Sequence, residues 1–235
     1  GMVGMLAIFS LIASSIQESG FTAALVNKKE VTHSDYNAVF WFNAAISLFM
    51  YLLLFLCAPL IADFYNTPEL TPLARYSFIG FFIASLGISH SAYLQRNLMV
   101  KQRAISSVTG LVLSGVTGVA LAYFGFSYWG LATQSIVYVF VTTACYWHFT
   151  RWRPTLQINF APIKEMFGFS GKLLVTNVFN HINNNLFSVI LGKFYSEQEV
   201  GYYSQANKWC SMGQQFISGL SLIHISEPTR LLSIS

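Results

Sequence analysis

Charge is what this sequence has least of. Of 235 residues only 9% are Asp, Glu, Lys or Arg, against roughly 25% in ordinary soluble domains. Too few charges remain to cover the surface of a soluble globule. That excludes a typical cytosolic enzyme, a disordered chain and a nucleic-acid-binding domain. Cysteine is scarce as well. Cys57, Cys145 and Cys210 have no paired spacing and lie in apolar stretches. They read as small buried hydrophobes, not as a disulfide framework or a zinc site. No large excess of either sign is present: 13 basic and 9 acidic residues leave a net charge of +4. So small a surplus fits loops facing anionic lipid better than a surface for nucleic acid. What the sequence does have is apolar side chains, 54% of the total, and a mean hydropathy of +0.52. The fold class expected is all-α, a polytopic transmembrane helix bundle.

A bilayer core of about 30 Å needs about 20 apolar residues per crossing helix. About seven spans meet this, near 3–26, 37–62, 71–94, 104–124, 128–149, 167–192 and 200–219. The first begins at once, without the basic lead-in and cleavage site of a signal peptide. Gly1-Met2-Val3 reads as a cut through an existing helix.

Loop charge orients the spans. Lys28, Lys29, Arg96, Lys101, Arg103, Arg151, Arg153 and Lys164 fall in loops on one side. The opposite loops hold Asp63, Glu69, Glu197 and Glu199, with only Lys193 and nearby Arg75 as cations. Eight cations against two make the first side cytoplasmic.

The spans differ in character. Span two, with the run Leu48 to Leu56, is uniformly apolar and is expected to face lipid. Pro59 near its end can stop or kink it. Span four carries Ser106, Gly110, Ser114, Gly118 and Ala122 at every fourth position. That stripe lets another helix approach closely, and packing is preferred over substrate contact. Span six sets Lys172, Thr176, Asn180, Asn184 and Ser188 on one slanted ridge. Span seven adds Ser204, Gln205, Lys208, Ser211 and Gln214. Unsatisfied polar groups in hydrocarbon cost several kcal/mol each, so such faces must meet other helices or a wet cavity. Lys172 and Lys208 are cavity candidates, with snorkelling to the interface as the alternative. Glu18 is open to two roles, an ion-coupling acid or an interfacial acid beside Lys28 and Lys29. His181 can titrate near neutral pH, although a hydrogen-bonded bundle histidine is the plainer reading. His90 reads as structural.

Spans one and seven align without gaps at an offset of 197. Val3-Gly4 meets Val200-Gly201, Ser14 meets Ser211, Gln17 meets Gln214 and Glu18 meets Gln215. The offset crosses an even number of spans, so both helices run the same way. Two parallel halves related by an axis along the membrane normal would produce this.

Several segments together resemble a known family. They are Glu18 to Leu25 with Lys28-Lys29, Ala58-Pro59-Leu60-Ile61-Ala62-Asp63-Phe64-Tyr65 with Pro68-Glu69-Leu70, Phe167 to Leu174, Leu191-Gly192-Lys193-Phe194-Tyr195-Ser196 and Val200 to Ala206. They are similar to the polysaccharide biosynthesis, Wzx-type branch of the MOP exporter superfamily. The resemblance covers about 2 to 219 and implies helices two to eight of a two-lobed transporter. Residues 1–150 would be a partial first lobe lacking its first helix, and 151–219 the start of the second. The segment 220–235, from Leu220-Ser221-Leu222-Ile223-His224 onward, departs from the family. It resembles one reading frame of a sequencing adapter and is expected to be a non-native tail, so His224, Glu227 and Arg230 receive no role.

The implied activity is flipping of an undecaprenyl-pyrophosphate-linked glycan across the bacterial cytoplasmic (inner) membrane by alternating access. It would serve lipopolysaccharide or exopolysaccharide synthesis, with no bond made or broken. The implied partners are the lipid-linked oligosaccharide, membrane lipids and glycan polymerase machinery, with no nucleic acid, metal or cofactor. Lys172, Lys208 and Arg75 would face the diphosphate as point charges. Asn180, Asn184 and Gln214 would bond sugar hydroxyls. Glu18 and His181 would couple an ion. A multidrug or cation antiporter would favour a pair of cavity acids, and only Glu18 is seen. A membrane glycan polymerase or acyltransferase needs a large outward loop, and the outward loops are short. Nucleophile, Walker and Rossmann patterns are absent.

Overall fold

The computed structural model describes residues 2–6, 9, 21–157 and 159–226; in α8 and α9 some positions, among them His181, Asn184 and 215–226, are described for backbone only. Glu18, with Ser14 and Gln17, lies outside the described residues, as does the tail from 227. Among the described residues every regular element is a helix. These are α1 (2–6), α2 (Phe21–Asn27), α3 (His33–Tyr65), α4 (Leu70–Ser77) and α5 (Ile79–Arg96). They continue as α6 (Val100–Tyr123), α7 (Ser127–Phe149), α8 (Ala161–Phe194) and α9 (Glu197–Ser226).

Three stretches are long and apolar enough to cross a membrane, His33–Tyr65, Leu70–Arg96 and Val100–Tyr123. The chain is an all-α helical membrane protein. Its third expected span is broken at Phe78 into α4 and α5, whose two axes meet where Phe78 is buried. α7 has the length of a span, but Tyr, Thr, Ser and Trp side chains lower its apolarity. α8 and α9 also have the length, and their Asn, Gln, Ser and Lys residues lower theirs in the same way. Leu48, Phe49, Leu52, Leu53, Leu56 and Leu60 on α3 and the row Val108, Val112, Val116 and Val119 on α6 are exposed. An apolar exterior of that length suits hydrocarbon and not water.

Helix ends follow from local chemistry. At the start of α3 the Asp35 carboxylate accepts from the Thr32 N–H (2.8 Å) and hydroxyl (3.0 Å). It also pairs with the Lys28 ammonium at 2.8 Å. Pro59 does not end α3, which runs a further turn and a half to Tyr65. Asn66 then takes a left-handed conformation, φ 52°, and the Thr67 N–H returns to the Ala62 carbonyl. Asn tolerates that region better than most residues. Gly125, φ 82°, makes the corresponding stop after α6.

The small-residue stripe of α6 packs as expected. Ser106, Gly110 and Ser114 are buried, and α6 with α7 forms the most extensive helix pair. A Cβ on Gly110 would lie 2.7 Å from Thr142 Oγ1, and one on Gly118 would lie 2.8 Å from Gln134 Oε1. The missing side chains are therefore what let α7 approach. The three cysteines are unpaired. Cys57 and Cys145 are half-buried, but Cys210 is exposed, unlike the buried hydrophobe expected there.

Two buried clusters sit at opposite ends of the bundle. At one end Phe21, Leu25, Tyr36, Phe40 and Ala92 close around Trp152, Ile163 and Met166. At the other, Met5, Leu6, Ile61, Tyr65, Leu73 and Phe78 pack with Val200. The basic loops gather at the first end. There Arg96 donates to the carbonyls of Leu25 (3.0 Å), Val26 (2.9 Å), Lys28 (2.6 Å) and Lys29 (2.9 Å). One guanidinium thus satisfies the carbonyls that the end of α2 leaves open.

The segment after α7 is extended and pinned to α3. Asn37 Nδ2 donates to the Gln157 carbonyl (2.7 Å), and Asn37 Oδ1 accepts from the Thr155 N–H (2.9 Å). The Trp41 indole N–H donates to the Thr155 carbonyl at 2.8 Å. His33 Nε2 lies 3.1 Å from the Arg153 carbonyl. Trp152 enters the cluster beside His90, which stacks on Trp147 at 4.4 Å and is fully buried. Among the described residues neither ring nitrogen of His90 has a hydrogen-bond partner, so ring packing alone holds it.

Candidate functional site

α1, α6, α7 and α9 border a half-open cavity of about 560 Å³. Its walls are mainly apolar, with Leu111, Leu131, Val139, Tyr128 and Tyr138 among them. Polar groups come from two sides: Ser114, Gln134 and Ser135 from α6 and α7, and Ser204, Gln205 and Lys208 from α9. Lys208 is the one charged side chain among the described residues of the lining. Gln134 reaches this wall because Gly118 leaves room for it on α6. Immediately before it on α7, Thr133 is held by Tyr76, hydroxyl to hydroxyl at 3.0 Å. Lys208 and Gln205 are themselves exposed on α9, so an anion at this ammonium would meet it with water still present. The flanking amides and hydroxyls can donate to or accept from a hydroxylated ligand.

The segments aligned at an offset of 197 meet beside this cavity. Val3 and Gly4 on one side and Gly201 on the other line it. A Cβ on Gly4 would lie 2.9 Å from Ser204 Oγ and 3.3 Å from Val200 Cγ1.

The other sequence candidates are placed differently. Lys172 and Asn180 are exposed on α8, outside the cavity lining, with Thr176 donating back to the Lys172 carbonyl at 3.1 Å. At the far end of the same ridge Ser188 is buried. Gln214 is exposed on α9 beyond Lys208 and is not in the lining. The side chains of Asn184 and His181, and the whole of Glu18, are not among the described residues. Arg75 turns to α3, where its Nε donates to the Phe55 carbonyl (3.3 Å) and its guanidinium lies 4.4 Å over the Phe55 ring. Gln134, Ser135 and Tyr138 were missed from sequence. The signal for Gln134 was available: one amide within an apolar helix, opposite a glycine on the preceding one. A second hollow, open and of about 620 Å³, lies at the basic end between Lys28, Lys29, Glu30, Asp35 and Asn159. Its charges are of both signs, and Lys28 and Asp35 are paired to each other.

Comparison with known proteins gives a consistent picture. A family model described as polysaccharide biosynthesis protein matches residues 1–226. The lipopolysaccharide biosynthesis protein WzxC of Escherichia coli (strain K12) is 25% identical over 213 residues, 88% of this chain and 42% of its own. The teichuronic acid biosynthesis protein TuaB of Bacillus subtilis (strain 168) is 26% identical, over 84% of this chain and 41% of its own. The succinoglycan biosynthesis transport protein ExoT of Rhizobium meliloti (strain 1021) is 27% identical, over 85% and 40%. The chain spans about two fifths of the length of these curated relatives. No solved structure matches it.

Proposed function

The chain belongs to the polysaccharide biosynthesis protein family, in its Wzx-type flippase branch, and from that premise we propose that the whole protein flips a lipid-linked oligosaccharide across the bacterial inner membrane. The cargo class is an undecaprenyl-pyrophosphate-linked glycan, destined for lipopolysaccharide or exopolysaccharide. Residues 1–150 belong to one half of the transporter and 151–219 begin the other. The basic end faces the cytoplasm.

One observation carries this reading: a cavity between elements of both halves, apolar-walled, with a single lysine beside amides and hydroxyls. The physical task is to move a diphosphate and a sugar through about 30 Å of hydrocarbon. Lys208 neutralises part of the diphosphate as a flexible point charge. Ser204, Gln205 and Gln134 exchange hydrogen bonds with sugar hydroxyls that would otherwise leave water unpaired. The apolar wall suits the prenyl chain. Rocking of the halves about the cavity exposes it to each side in turn. Lys172, Asn180, Asn184 and Gln214 line the remaining path in this proposal, with Arg75, and Glu18 and His181 serve ion coupling. The transport role requires no catalytic residue, and glycan polymerase machinery receives the cargo.

The test is Lys208→Ala in the complete protein, expressed in a strain lacking its own copy. Surface polysaccharide should be lost while the protein accumulates normally, and Lys208→Arg should keep part of it. Normal polysaccharide from the alanine variant at normal protein level would remove the cavity assignment.

A further inference from the structure

The polar groups of the Lys208 cavity are not equally free to meet a ligand. The Ser114 and Ser135 hydroxyls donate back to their own helices, to the carbonyls of Leu111 (3.2 Å) and Leu131 (3.1 Å). The Gln134 amide and the Tyr138 hydroxyl, both in the lining, have no hydrogen-bond partner among the described residues. These two residues are half-buried and stand four positions apart on α7, so they share one face, about 6 Å apart along the axis. Across the cavity α9 presents Ser204 and Lys208 at the same interval. Each of the α7 side chains is seated on a glycine of the α6 stripe. A Cβ on Gly118 would lie 2.8 Å from Gln134 Oε1 and 2.9 Å from its Cδ. One on Gly110 would lie 3.1 Å from Tyr138 Cδ2 and 3.2 Å from its Cε2. Gly115, on the same helix, has nothing within 4 Å.

Resting on the transporter reading above, we propose that Gln134 and Tyr138 together form the face of the cavity that reads a sugar ring, with Gly118 as the positioning residue for Gln134. The chemistry suits a pyranose. An amide accepts from one hydroxyl and donates to the next, and a phenol does either. The Tyr138 ring adds apolar surface for sugar C–H groups, and Gly110 lets it lie close against α6. Neither group is charged, so this face sorts cargoes by where their hydroxyls point, while Lys208 supplies charge. Such sorting is sharp, because a cargo without the matching hydroxyl leaves the amide or the phenol unpaired. Gly118 acts through Gln134 alone. The nearest atoms that an added methyl would meet are all in the Gln134 side chain, whose flexible end must then move out of place.

The experiment uses the complete protein in a strain lacking its own copy. It reads the rate at which surface polysaccharide appears, per unit of accumulated protein. Tyr138→Phe keeps the ring on Gly110 and removes only the hydroxyl; a fall of about fivefold is expected, the size of one ordinary hydrogen bond. Gln134→Ala and Gly118→Ala should each lower the rate by a similar factor. Their double variant should be no slower than Gln134→Ala alone, because Gly118 then has nothing left to position. Losses that multiply in the double variant would mean that Gly118 merely packs α6 on α7, and they overturn the positioning role. Poor accumulation of Gly118→Ala that persists beside Gln134→Ala overturns it too, since the space is then clear. An unchanged rate in either Tyr138→Phe or Gln134→Ala overturns the sugar-reading face. The parent and Lys208→Ala separate this from the wider reading. If the parent restores no polysaccharide, the transport reading falls and this face with it. If Lys208→Ala abolishes polysaccharide while Tyr138→Phe and Gln134→Ala leave it untouched, the cavity stands and the face alone is removed.

Discussion

The two ends of α8 are both sunk in apolar cores, and they differ in how polar groups fasten them. At the basic end, α8 starts beside a pinned strap and sinks Ile163 and Met166 among Phe21, Leu25 and Tyr36. At the other end Leu191 packs against a core that buries Met5, Leu6, Tyr65 and Val200. Around the first core, Arg96 binds four carbonyls and Asn37 two backbone groups of the strap. Beside the second, one exposed lysine, Lys193, binds the Phe64 carbonyl. Apolar burial is common to both ends, and polar fastening is concentrated at one.

That contrast can be broken by mutation, and the expected effects fall in order. Arg96→Met should have the largest. It strips one guanidinium from four carbonyls at the end of α2, and hydrogen bonds to charged groups contribute about 1.5–3 kcal/mol each before shared effects. A net loss of about 3 kcal/mol is expected, read as a lower melting temperature of the purified complete protein; an unchanged melting temperature would mean the cap is incidental. Asn37→Ala comes next, at about 1–2 kcal/mol for two backbone bonds. Its signature is local: hydrogen exchange at the Thr155 amide should quicken while amides in the middle of α6 keep their protection. Equal exchange at Thr155 in both proteins would mean that Trp41 alone holds the strap. The smallest stability effect belongs to Lys193→Met. It removes one exposed hydrogen bond and should leave the melting temperature within error. A large drop in melting temperature would mean that Lys193 fastens its end as strongly as Arg96 fastens the other.

Much of the architecture was readable before any coordinates. Span two survives as the apolar exterior of α3, because a run such as Leu48 to Leu56 has nowhere to hide in water. The Ser106–Gly110–Ser114–Gly118 stripe predicted close packing, and α7 occupies it. The basic loops share one end. The site was less legible. Lys208 stood out as a cation within an expected span, and its exposed side chain lines the cavity. Gln134 was passed over because one amide on α7 acquires meaning only when Gly118 is seen opposite. The bond from Arg75 to the Phe55 carbonyl was not readable from charge, because it depends on how α4 folds back on α3. The strap was invisible for a related reason. Asn37 and Thr155 are 118 positions apart, and no local pattern in 151–157 announces a partner.

That strap has a mechanical consequence. A connector between helices is usually treated as slack rope, whose length matters little. Here the backbone from 153 to 157 is tied down at both edges by a single asparagine side chain and an indole, leaving only a few residues before α8 begins. The connector is therefore a peg and not a rope: the 34 residues of α8 set out from a point already fixed on α3.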